Sequence, residues 1–426
     1  MAEVLVSGYC DPRFEPVAEV FRHSLNSQFE VGASFAVEHK GEMIIDLWGG
    51  HQDAERSKNW TSDTIVNVFS VTKGVTAVCV ARLIEEGQID VNEKVSYYWP
   101  EYGCNGKEDT TVLDILCHRS ANFGFQNEIP TDKWTDWQLF ITHLSEQAPF
   151  EVPGLVQAYH ALTFGWLVGE LVRRVDGRSV GTYFREELAE PLDLDFKIGL
   201  DDADFDRCAD MLMLEKLPSI SQLNILKYVP DFMLSRGLRN IKRAVNSGYN
   251  PIAFDNRALA DNPNFANTAE WRRAEIPAAN GHGTASSLAL LYGILSTGGT
   301  RDGFQVLKSE TIDLLRTVHS NGPDLVLFGL NYKFGLGHMI NAPFTPIGLN
   351  KNRNMFGHTG IGGSVVFGDV EKSIGFSFFN NQQHKDLTLY ETANKLTKAV
   401  YQIVSIFWLR AYLERPNFPP RPFQVE

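Results

Sequence analysis

Strand-like patterning in this 426-residue chain is confined to its two ends, and the stretch between them reads mostly as helix. That order constrains the fold more than any other feature. Residues 17–28 look helical. Ala33 to Val37 and Met43 to Trp48 then read as two strands joined by the turn His39-Lys40-Gly41-Glu42, a hairpin. Helical patterns follow over Ser70 to Glu86, 111–118, 133–147, Phe164 to Val175 and 179–190, the last closed by Pro191. Strand character returns from Leu327 to Ile340, and Val365 to Phe367 and Ile374 to Phe379 flank a second hairpin turn. A final helix aligns Leu389, Ala393, Leu396, Val400, Ile403 and Phe407 at steps of three and four. The order predicts an α+β fold: one antiparallel sheet built from both ends of the chain, flanked by helices, with an inserted helical lobe. Residues 1–75 and 276–426 are assigned to the α/β lobe and 76–275 to the mostly helical lobe.

Within that insertion, residues 200–275 are irregular. They hold Pro218, Pro230, Pro251 and Pro263 among bulky apolar residues such as Leu226, Tyr228, Phe232 and Phe254. A long loop-rich segment of this kind suits a pocket wall or lid.

The chain carries 39 basic and 52 acidic residues, a net charge of −13. That sign repels nucleic-acid phosphates and anionic lipid, so neither nucleic acid nor membrane is an expected partner. The five cysteines have no disulfide-like or metal-like spacing, which fits reduced thiols and no metal site. The first residues lack a basic segment followed by a long apolar one, and no apolar run approaches the roughly 20 residues of a membrane span. A cytoplasmic location is the expectation.

The helix that starts near Ser70 is apolar on most of its circumference, yet it carries Lys73. Residues three apart share one helix face. The Lys73 amine can therefore reach the Ser70 hydroxyl. Ser70 sits where free backbone N–H groups point outward and the helix dipole favours negative charge. A lysine desolvated there loses proton affinity and can act as a base. About one Ser-x-x-Lys arises by chance in a chain this long. This one is the only copy, and its lysine on an apolar helix needs an explanation.

Two further segments gain meaning beside it. Tyr159-His160-Ala161 lies between helices, after Pro153-Gly154, where its phenol can face a pocket. By itself it reads better as a core or rim aromatic. Phe356-Gly357-His358-Thr359-Gly360-Ile361-Gly362-Gly363-Ser364 opens the late hairpin, and its glycines permit close approach of a backbone or ligand.

In this order, Ser70 to Lys73, Tyr159 to Ala161 and His358 to Gly360 resemble the marks of the β-lactamase-like serine hydrolases. Those marks are Ser-x-x-Lys, Tyr-x-Asn and Lys-Thr-Gly or His-Thr-Gly. The superfamily includes class C β-lactamases, D-alanyl-D-alanine carboxypeptidases and family VIII carboxylesterases. Thr111 to His118, Tyr159 to Val175 and Glu275 to Thr284 look similar too, the last to esterase-like members. The resemblance implies the DD-peptidase fold and a Ser70 acyl-enzyme. Lys73 and Tyr159 would handle the proton, and the backbone N–H groups of Ser70 and Ile361 would form the oxyanion hole. His358, Thr359 and Gly360 would bind substrate. No metal or organic cofactor is implied.

Two positions depart from the family pattern. Ala161 stands where the lactamases have an Asn that contacts a substrate amide. His358 stands where a Lys would supply a fixed cation. Both favour a small-molecule ester of small or medium acyl size over a β-lactam. Lowering the pH toward 6 is expected to charge His358, and Arg272 or Arg273 could supply a cation instead. The competing readings are a β-lactamase, D-amino-acid peptidase or acyltransferase of the same mechanism, and, from another class, a non-catalytic scaffold. The sequence leaves oligomeric state and natural substrate open.

Overall fold

A two-residue turn with both residues in the left-handed region matches the twist of an antiparallel pair. Lys40 (φ +57°) and Gly41 (φ +91°) make such a turn between β2 (Gly32–His39) and β3 (Glu42–Gly50). This hairpin seeds the central sheet of the computed structural model, which describes residues 4–130, 132–214, 221–254, 262–349, 355–384 and 390–413. β1 (Val6–Cys10) pairs with β3, an edge strand that the sequence pattern does not reveal.

Two- and three-residue strands fall below the length at which alternation can be read. β4 (Val66–Asn67), β5 (Phe196–Ile198) and β6 (Gly281–Gly283) are of this kind. They form a separate small antiparallel sheet in the order β4-β6-β5. β7 (Thr300–Arg301) and β8 (Phe304–Gln305) make an isolated hairpin.

From the C-terminal part come β9 (Ser320–Pro323), β10 (Asn331–Phe334), β11 (Met339–Asn341), β12 (Met355–Thr359), β13 (Val365–Asp369) and β14 (Ile374–Asn380). The nine-stranded sheet runs β1-β3-β2-β14-β13-β12-β11-β10-β9, with every pairing antiparallel. β2 beside β14 joins the two ends of the chain, as their order in the sequence requires.

Alternation gives each sheet face its own partner. Ala33, Phe35 and Val37 of β2 and Phe376 and Phe378 of β14 face the helices Glu15–Asn26 and Glu391–Leu413, meeting Val17, Phe21, Leu25, Ala393, Leu396 and Val400. The opposite face is narrow and takes the helix Ala285–Ser296. A side chain at Gly375 would lie 2.1 Å from the Ala289 carbonyl oxygen, so the helix approaches there only because the strand carries glycine.

The middle of the chain contributes the buried helix Thr72–Glu85, packed with Trp137–Glu146 and Thr163–Asp176 in one apolar cluster. One local reading needs correction. Pro191 does not close its helix. The 179–190 region becomes helix Val180–Phe184, a wider turn Arg185–Ala189 and a last turn Glu190–Leu192 that includes Pro191 in its first positions. The helical path continues through Pro191, directly after the wider turn where the regular hydrogen-bond ladder is already interrupted; the stop comes at Asp193, in the left-handed region (φ 53°). The strand character from Leu327 to Ile340 resolves into a turn followed by β10 and β11. In the final helix, Leu389 and the Phe407 side chain lie outside the described residues.

Candidate active site

β4 delivers the chain into the site. Asn67 fixes its exit, donating to the Ala279 and Gly281 carbonyls at 2.9 and 3.2 Å and accepting from Trp271 Nε1 at 2.9 Å. Phe69 then turns through φ +45°, a conformation a bulky residue holds only under external constraint. Ser70 follows, two residues before the helix Thr72–Glu85 begins. Helix ends are uncertain by that much, and the Lys73 N–H bonds back to the Ser70 carbonyl at 3.1 Å.

Lys73 is fully buried, and among the described residues it has no carboxylate partner. Its Nζ lies 2.7 Å from the Ala161 carbonyl, 2.9 Å from the Ala278 carbonyl and 3.1 Å from Ser70 Oγ. Burial holds its pKa well below the usual lysine range. A neutral amine has two N–H donors and one lone pair. Two carbonyls take the donors, and the lone pair is left facing the Ser70 hydroxyl.

Tyr159 approaches from the other side. Its phenol is buried, which raises its pKa well above the ordinary value, and the Ser70 side chain offsets part of this by hydrogen bonding. It is therefore protonated at neutral pH. Its ring lies 4.9 Å from Lys73 Nζ. The Tyr159 backbone N–H donates to Asp324 Oδ1 at 3.0 Å, and the same oxygen accepts from the Val326 and Leu327 N–H groups. This buried carboxylate, missed in the sequence, ties the tyrosine to the loop that supplies Leu327 and Phe328 to the cavity. Its only signal was Asn321-Gly322-Pro323-Asp324, an ordinary turn cluster 165 residues from its partner.

β12 ends in Thr359, and the chain reverses through Gly360-Ile361-Gly362-Gly363. The Gly363 N–H donates to the Gly360 carbonyl at 3.3 Å, and the Gly360 N–H to the Ser364 carbonyl at 2.7 Å. A turn closed in this way leaves the N–H of its second residue, Ile361, unused by the turn. Asn380 braces the reversal, donating through Nδ2 to Gly362 O at 3.3 Å, to Gln382 O at 2.8 Å and to Glu30 Oε2 at 3.0 Å. Glu30, buried, also accepts from Thr392 Oγ1 at 2.6 Å and lies 3.1 Å from His384 Nε2.

Ser70, Tyr159, Thr359 and Ile361 line one cavity, walled by Asn250, Phe254, Leu327, Phe328, Tyr332, Met339, Pro343, Thr345 and Tyr390. His358 lies behind this wall, fully buried, with Nδ1 2.8 Å from the Thr359 carbonyl. Burial pushes its pKa well below 6.5. The expectation that pH near 6 charges it is therefore corrected: it stays neutral. Gly360 is also buried behind the lining. Arg272 and Arg273 do not line the cavity. They pair with Asp210 at 2.8 Å and Asp202 at 2.7 Å. Of residues 200–275, Asn250 and Phe254 reach the cavity; 215–220 and 255–261 lie outside the described residues. Among the described residues no cluster of His, Cys, Asp or Glu could hold a metal ion, and no helix is long and apolar enough to cross a membrane.

A family model described as Beta-lactamase matches residues 17–398, and the chain belongs to that family. It is an enzyme, a hydrolase of the β-lactamase-fold serine hydrolases. It is 33% identical over 397 residues to a Mycobacterium tuberculosis (strain ATCC 25618 / H37Rv) protein named esterase/beta-lactamase LipL, covering 91% of this chain and 86% of that one. A solved family VIII carboxylesterase superposes with TM-score 0.81 at 32% identity, over 94% of this chain and 100% of the other. A penicillin-binding protein homologue from Caulobacter crescentus gives 0.78 at 34%, with the same coverage.

Proposed function

We propose that this enzyme is a carboxylesterase for small or medium acyl esters, working through an acyl-enzyme on Ser70. The observation that carries the reading is the cavity wall: among the described residues it is apolar or neutral polar, with no cation. A substrate carboxylate would be desolvated there without a counter-charge, which is costly. An uncharged ester loses nothing on entry. Ala161 adds no amide contact, and neutral His358 adds no charge.

The roles follow from protonation. Lys73, neutral, takes the Ser70 proton as the oxygen attacks the ester carbonyl. The developing oxyanion meets the backbone N–H groups of Ser70 and Ile361. Tyr159, protonated, passes a proton to the departing alkoxide, and the Lys73 proton replaces it. Water then releases the acyl group by the same steps in reverse.

Short p-nitrophenyl esters should exceed a chromogenic cephalosporin in kcat/KM at pH 7–8 by roughly a hundredfold or more, since a site without contacts to a group cannot favour it. Ser70→Ala should lose both turnover and the single adduct formed by a serine-reactive phosphonate. A cephalosporin that proves the better substrate overturns the ester reading; an adduct of equal yield on Ser70→Ala overturns the nucleophile.

A further inference from the structure

Ile225, Tyr228, Phe232 and Met233 are 68%, 86%, 85% and 66% exposed. Four large apolar side chains are thus left in water within nine residues of chain. Contiguous exposed apolar surface marks interaction sites. The charge around it is equally distinct. Residues 221–254 hold five basic residues and one acidic residue in a chain whose totals are 39 and 52. The one acid, Asp231, is taken by Lys242 at 2.8 Å, and the same amine donates to the Val229 carbonyl at 2.7 Å. This clip holds the helix Arg236–Ser247 against the turn that carries Phe232 and Met233. Lys227, Arg236, Arg239 and Arg243 remain exposed beside the apolar cluster.

We propose that residues 221–254 form a docking surface for an anionic lipid bilayer. Apolar side chains flanked by exposed basic ones match the two layers of such an interface, acyl region and phosphates. The chain's net charge of −13 disfavours anionic membranes on average, and this face departs from that average in sign. The surface is also continuous with the site. Past Gly248 the same segment forms the helix Tyr249–Phe254, which gives Asn250 and Phe254 to the cavity wall. Docking on this face would bring the cavity next to esters dissolved in or leaving the bilayer. That consequence rests on the esterase reading; the docking itself does not.

The test is flotation of the full chain with phosphatidylcholine vesicles, with and without phosphatidylglycerol. Wild type should float with the phosphatidylglycerol vesicles and be released by high salt. The pairs Tyr228→Ser/Phe232→Ser and Arg236→Gln/Arg239→Gln should each cut the bound fraction roughly tenfold. Both should keep wild-type turnover of p-nitrophenyl acetate, which shows that they fold. Absence of wild-type binding, or equal binding by the variants, overturns the proposal. So does a wild-type dimer that Tyr228→Ser/Phe232→Ser converts to monomer, since the face would then hold a second copy. Ser70→Ala should float like wild type, so vesicle binding without ester turnover would sink the esterase reading and leave the docking standing.

Discussion

Lys73 earns its role from two carbonyls that belong to distant parts of the chain. Ala161 and Ala278 fix the amine's hydrogens, and only Ser70 is left for its lone pair. Its pKa is lowered by burial, so the base form exists well below the usual lysine value of about 10.4. kcat/KM for an ester should therefore rise with pH through a limb well to the acid side of that value. A limb near the ordinary lysine value in a pH-rate profile would contradict a desolvated base. Tyr159 shares the same proton. Lys73→Ala and Tyr159→Phe should each cost roughly a thousandfold or more in kcat, with the double variant little worse than either, because groups acting as a unit are non-additive. Additive losses in a double-mutant cycle would separate the two residues into independent roles.

Between residues and the whole lies the reversal after β12. Its geometry is held by Asn380 at the end of β14, which in turn is held by Glu30 before β2. A side chain at Gly363 would sit 2.6 Å from Asn380 Nδ2, so turn and brace are in direct contact. Asn380→Ala should release the turn and displace the Ile361 N–H. One oxyanion donor is worth roughly 100- to 1000-fold in kcat. The expected loss is about tenfold or more in kcat, with KM little changed; a fall in thermal stability with kcat intact would show that the brace serves only the fold.

At the scale of the molecule, the sheet is covered on both faces, and one face contains an acid. Glu38 of β2 points toward the helix Ala285–Ser296, and burial pushes its carboxyl up to about 7, with Arg301 and the Gly41 N–H opposing. In the unfolded chain the same group releases its proton near 4.5. The folded state thus holds the extra proton between these two values. Stability falls as pH rises from about 4.5 to about 7 and stays lower above. Glu38→Gln should raise Tm at pH 8 and leave it nearly unchanged at pH 4; an equal shift at both pH values, by calorimetry, would assign the effect to packing alone.

The sequence by itself determined the order of elements, the hairpin at Lys40-Gly41, the buried helix with its lysine, and which end pieces must meet in one sheet. These are local: period, turn chemistry and a charge on an apolar helix are written within a few residues of one another. The short strands β4, β5 and β6 were not legible because two or three residues carry no period, and they are what aims Ser70. Asp324, Glu30 and Asn380 were not legible because each acts on partners far away in sequence. The neutrality of His358 was decided by burial alone, which no neighbouring residue announces. Only the tertiary structure could place two carbonyls on Lys73 and leave its lone pair facing the serine, because hydrogen-bond satisfaction in a dry interior is a property of what surrounds a group in space.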